Sequence, residues 1–176
     1  LILTSKAYQM KSALAAPIVN PNDSKAKPEY VFRGPLVRRM TAEQFVDALY
    51  SLLGRSERAW AENGNRLMDM LGRPDRRVVT TSRDVKASTV QALELLNGSD
   101  LHGFLYADKT NARMTELSQR PPAELVRELY LHALGRTPTE KEATVFAEML
   151  GQKPDRVAVA DALWIVLMLP EFQLLY

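Results

Sequence analysis

The side chains able to do chemistry in this chain are mostly arginines. Arg73, Arg76, Arg77 and Arg83 lie close together in a stretch with poor helical character, interleaved with Asp75 and Asp84. A guanidinium is planar, permanently charged and forked, so it matches carboxylate, phosphate and sulfate oxygens two at a time. Two readings follow. The arginines form a structural network, tying an irregular loop to carboxylates and to the carbonyls at helix ends. Or they line an anion site for phosphate, sulfate, a carboxylate or a nucleic-acid backbone. Arg38 and Arg39 raise the same question. They stand just before Thr41, where a helix N-terminus prefers negative charge, so they either point to solvent or belong to a binding surface.

Other chemistry is thin. The chain contains two histidines, His102 and His132, and no cysteine. Disulfides, thiolate nucleophiles and cysteine-held metals are therefore excluded. The histidines lack HxxxH or HxH spacing, and each reads as a structural or surface residue. No G-x-S-x-G elbow is present, and Gly54, Gly64 and Gly72 are too widely spaced for a phosphate-cradling loop. Glu140 and Glu142 read as helix-start charges. We assign no catalytic residue, no metal ligand and no cofactor from these residues.

Composition bounds the fold. The chain has 176 residues, with 25% charged, 46% hydrophobic and 7% aromatic. That is enough for one domain with a substantial core, and the abundance of Ala, Leu, Glu and Arg favours helices. No apolar run is long enough to span a membrane. The opening LILTSKAYQM lacks the basic and apolar regions of a signal peptide and reads as the end of a helix from a longer protein. The formal charge of +2 is unevenly spread: residues 1–86 carry 15 basic against 9 acidic side chains, and residues 87–176 carry 8 against 12. Such asymmetry arises from two solvated faces or marks a half that meets a polyanion. Near-neutral overall charge and the lack of interleaved aromatics count against nucleic acid as a partner.

The elements that must position these residues are helical. Leu3, Ala7, Met10 and Leu14 predict a helix over 1–16, stopped by Pro17. A long proline-punctuated loop follows over 17–35, pinned by Tyr30, Val31 and Phe32. Thr41 and Gln44 form a capping box for a helix ending at Gly54. Trp60 is assigned to the core. Arg76–Thr81 is the one extended segment, standing alone and therefore no sheet. Ser88 and Gln91 cap a helix with Val90, Ala92, Leu93 and Leu96 facing inward, ended by Asn97-Gly98. A helix over 101–117 is weak in its middle, ADKTNA. Three helices close the chain: 122–134; one capped by Thr137 with Pro138 and Glu140; and 154–169, apolar nearly all round and so central. The expected fold is all-α, an irregular multi-helix bundle forming a single helical domain over 1–176. Its parts are a basic region, 1–120, and a three-helix region, 121–176.

The segments RRMTAEQFVDAL, GRPDRR…SRD…ASTVQALELLNG, ELYLHALGRTPTEKE and ALWIVLMLPEF, in this order, resemble the bacterial (planctomycete-type) domain of unknown function fifteen fifty-three family. The positions that carry the pattern are Arg38, Arg39, Glu43, Asp47, Arg73, Asp75, Arg83, Gln91, Ala92, Leu93, Leu96 and Asn97. The chain departs from the pattern over 55–71, where a longer insert is common. The resemblance implies the C-terminal part of a large exported protein, periplasmic or at the cell surface. It also implies a cytochrome c-like domain upstream in related proteins, whose haem would lie outside this cysteine-free chain. No catalytic residue comes with it.

Two functions are expected from these readings. The first is a non-catalytic packing or interaction module, whose partners are upstream domains of the parent chain or another protein. The alternative is part of a redox or polysaccharide-acting enzyme with its reactive centre upstream and an arginine-lined anion site here. An exposed apolar patch speaks for the first; arginines lining a cleft speak for the second.

Overall fold

The computed structural model describes residues 2–6, 8–11, 37–55, 65–75 and 88–175. The loop 17–35, Trp60 and the extended segment Arg76–Thr81 lie outside these residues. The chain divides into two compact units, one formed by residues 1–39 with 174–176, the other by residues 40–173.

In the first unit the expected N-terminal helix is absent from the described residues. Residues 2–6 and 8–11 form turns instead. Ser5 explains part of this. Its hydroxyl accepts from the Tyr8 amide at 3.2 Å, a local bond that competes with helix. Ile2, Leu3 and Tyr8 are more than half exposed, so no packing supports an isolated helix. The same unit holds the paired strands, β1 (Arg38–Arg39) and β2 (Leu174–Leu175), antiparallel with Arg38 opposite Leu175 and Arg39 opposite Leu174. This short ladder was not legible as strand from either sequence.

The second unit is all-α. Its helices are α1 (Ala42–Leu52), α2 (Arg66–Met70), α3 (Thr89–Asn97), α4 (Ser99–His102), α5 (Ala112–Ser118), α6 (Pro122–Leu134), α7 (Glu140–Leu150), α8 (Arg156–Met168) and α9 (Pro170–Gln173). A π-helical turn, Gly103–Ala107, continues α4. The weak middle of the predicted 101–117 helix is a true break, because α5 restarts at Ala112 under an Asn111 cap. Two of the three predicted capping boxes form, Thr41 with Gln44 and Ser88 with Gln91. α1 and α2 both end in a glycine with positive φ, Gly54 at 64° and Gly72 at 93°. In each case the next residue closes the helix, Arg55 N–H to the Tyr50 carbonyl at 2.8 Å and Arg73 N–H to Met68 at 2.9 Å.

α8 is the centre. Val159, Ala162, Leu163, Val166 and Leu167 are fully buried, and α5, α6, α7, α9 and the π turn all pack on it. Around it, three edge-to-face aromatic pairs fix neighbours at ring separations of 5.3–5.6 Å: Phe45 with Phe172, Tyr50 with Phe104, and Tyr130 with Phe146. Two expectations are corrected. The cap of α7 is Thr139 with Glu142, not Thr137 with Glu140, because the Glu142 carboxylate is held in place by Arg136. And α3 is rotated: Val90, Ala92, Leu93 and Leu96 are exposed, while Glu94 and Leu95 are buried.

Candidate functional site

The rotation of α3 follows from one carboxylate. The four-residue helix α4 begins at Gly98 without a side-chain cap of its own. Glu94 supplies it from the turn before, its Oε1 accepting from the amides of Asp100 at 3.2 Å and Leu101 at 3.4 Å. The orphan N–H groups of α4 thereby gain a negative acceptor. A Cβ at residue 98 would overlap this carboxylate, so only glycine lets Glu94 keep this position. With Glu94 turned in, Val90, Leu93 and Leu96 turn out, each more than half exposed. Gln91 fixes the other end of α3, its amide donating to the Leu71 carbonyl at 2.9 Å.

Beside this helix lies a cavity of about 430 Å³, lined among the described residues by α3, α4, the π turn and α8. Tyr106 on the π turn donates its hydroxyl to Asp161 of α8 at 2.5 Å. Burial, reinforced by this hydrogen bond and the charge of Asp161, pushes the Tyr106 phenol well above its ordinary range. It stays a neutral donor. His102 stacks on Tyr106 with ring centres 4.5 Å apart. Trp164, one turn along α8 from Asp161, donates its indole N–H to the Leu95 carbonyl at 3.1 Å. That carbonyl is among the last of α3 and has no intrahelical partner. Leu95, Leu96 and Leu101 complete an apolar wall.

Sequence reasoning did not pick out Tyr106, Asp161, Trp164 or Glu94. A signal existed for two of them. Asp161 is the single acidic residue inside the apolar run of α8, and Glu94 interrupts ALELL. A charge within an apolar helix is retained only with a partner or at a cavity. His102 is the histidine that joins the cavity. His132 lies on α6 beside Arg127 and Leu131 at an open surface depression.

The predicted arginine site is distributed differently. Arg76, Arg77 and Arg83 lie outside the described residues. Arg73 is half-buried, its backbone closing α2 and its Nη1 3.7 Å from the Met68 sulfur. Arg38 and Arg39 are neighbours in β1, the first exposed and the second half-buried. Other arginines knit helix ends together. Arg136 binds Glu142 at 2.7 and 2.9 Å and Glu171 at 2.7 and 3.1 Å, with its guanidinium 5.1 Å from the Tyr130 ring centre. These bonds hold the Glu142 carboxyl down to about 2. Burial, with the Glu142 charge, raises the Tyr130 phenol to about 12. Arg113 and Arg120 both bind Glu116 and Glu128. Arg55 pairs with Asp108, whose carbonyl also accepts from Arg156.

Among the described residues no group of three potential ligands is placed to hold a metal ion. No helix among them is long and apolar enough to cross a membrane. The protein is mostly helical, and among the described residues several ion pairs join one helix end to another. The family model described as "Protein of unknown function (DUF1553)" matches residues 56–150, more than half of the chain, and the chain belongs to that family. The match takes in Arg73–Gly98 and ELYLHALGRTPTEKE; RRMTAEQFVDAL and ALWIVLMLPEF lie outside it. No curated protein and no solved structure matches the chain.

Proposed function

We propose that this chain is a non-catalytic packing module of a larger exported protein, and that α3 carries the contact with upstream domains or with a partner protein. The observation behind this reading is the stripe of Val90, Leu93 and Leu96 on α3, exposed by 52%, 57% and 53%. These residues recur every third position, so they share one helix face. A leucine scattered alone on a surface needs no explanation, but three large aliphatics on one face of one helix favour a covered state. The charged side chains support the same reading. Arg55, Arg113, Arg120, Arg136 and Arg156 are engaged with carboxylates or carbonyls of this chain. Export follows from the family resemblance described above; the absence of cysteine does not bear on the compartment.

Leu93→Glu tests the proposal in two settings. In the chain alone, melting should shift by no more than about 2 °C, as for an exposed site. In the parent protein, limited proteolysis should cut faster at the junction preceding this module. An unchanged digestion pattern in the parent would overturn the assignment of α3 as the contact face.

A further inference from the structure

We propose that the cavity between α3, α4, the π turn and α8 binds a small organic cation with an aromatic stem, its charged head on Asp161. The argument begins with Asp161. It is half-buried in α8, the most apolar of the described helices, and its one hydrogen bond among the described residues comes from the neutral Tyr106 hydroxyl, on Oδ1. Removing a carboxylate from water is costly unless a cation or several donors compensate it. No Lys or Arg is among the described lining residues. The Glu94 carboxylate is not part of the lining and is compensated by the Asp100 and Leu101 amides, so Asp161 carries the charge of the wall. Among the described lining residues the one carboxylate, Asp161, faces no basic side chain, which favours a cation over an anion.

The walls give the rest of the chemistry. The Trp164 indole and the stacked His102 and Tyr106 rings offer aromatic faces, and Leu95, Leu96 and Leu101 an apolar surface. Aromatic faces attract ammonium groups through the ring quadrupole and stack well on a flat apolar stem. The volume, about 430 Å³, lies in the range of small-molecule sites. A bare metal ion fits poorly, because the wall provides a single carboxylate and a single histidine among the described residues.

Phenethylammonium is the probe. In an amide proton–nitrogen correlation spectrum, its addition should move the Trp164 indole N–H and the Gly98 amide. Trp164→Phe identifies the indole signal against Trp60. The neutral analogue 2-phenylethanol should bind at least about tenfold more weakly, the loss of one charge pair. Asp161→Asn should weaken phenethylammonium by a similar factor, while Tyr106→Phe, which removes only the neutral donor, should not. Where Asp161→Asn perturbs folding, Leu96→Trp serves instead: Leu96 is exposed, and the larger ring should block the cavity and abolish the shifts without altering the rest of the spectrum. The proposal is overturned by an absence of shifts at about 10 mM probe, a weak affinity by any standard. Equal shifts from 2-phenylethanol or glucose, or binding unaffected by both variants, would also sink it.

Discussion

Gly98 and Glu94 act as one unit. The glycine leaves room for the carboxylate, and the carboxylate caps the helix that the glycine starts. Gly98→Ala should therefore cost about 2–3 kcal/mol in urea unfolding, through overpacking and a displaced cap. Glu94→Ala should cost about 1–2 kcal/mol by loss of the cap. The double variant should cost less than the sum by about 1 kcal/mol or more, since the clash disappears with the carboxylate. Strict additivity would show that the two do not interact. Gly72 is required for two reasons, its φ of 93° and the 2.9 Å that would separate a Cβ from the Gln91 amide. Pairs of this kind are hard to see in a sequence. The charge inside ALELL signals a partner, but helical periodicity in ALELLNGSD does not place the glutamate, rather than a leucine, on the inner face.

Helix starts and stops were legible; helix orientation was less so. The boxes Thr41–Gln44 and Ser88–Gln91 and the stop at Gly135 depend on neighbours within a few residues, so local sequence determines them. The face of α3 did not follow from periodicity, because leucines occupy both sides of it and only Glu94 and the Trp164–Leu95 bond select between them. The α7 cap failed for a related reason. TPTEKE offers two overlapping boxes, and Arg136, which lies before both, favours the second by binding Glu142. Thr139→Ala should thus lower stability by about 1 kcal/mol or slightly more, the usual loss of a threonine cap, and Thr137→Ala by only a few tenths. Thermal melts of the two variants decide it; the reverse ranking would put the cap back at Thr137.

At the scale of the molecule, the helical unit is held by a buried α8 and by ion pairs at its ends. Arg136 joins the end of α6 to the start of α7 and to Glu171 on α9. Glu142 has a folded pKa of about 2 against an ordinary 4.5. The folded carboxyl then binds fewer protons than the unfolded one, so its contribution is complete above pH 4.5 and is lost as pH falls toward 2. Glu142→Gln should cost about 1 kcal/mol near neutrality, discounted because the pair is partly exposed, and should flatten this acid limb in a pH series of melts. The all-α fold class was readable from composition and periodicity. The cavity was not, because Tyr106 and Asp161 stand 55 positions apart and meet through a turn that no propensity announces. That turn has a consequence for chain length. A π turn is an α-helix carrying one residue more than the spiral needs. A relative one residue shorter between His102 and Asp108 keeps a continuous helix, but each later side chain in it swings by about 100°. Its counterpart of Tyr106 then faces away from α8. A one-residue deletion there would therefore separate the tyrosine from its aspartate even with both residues kept.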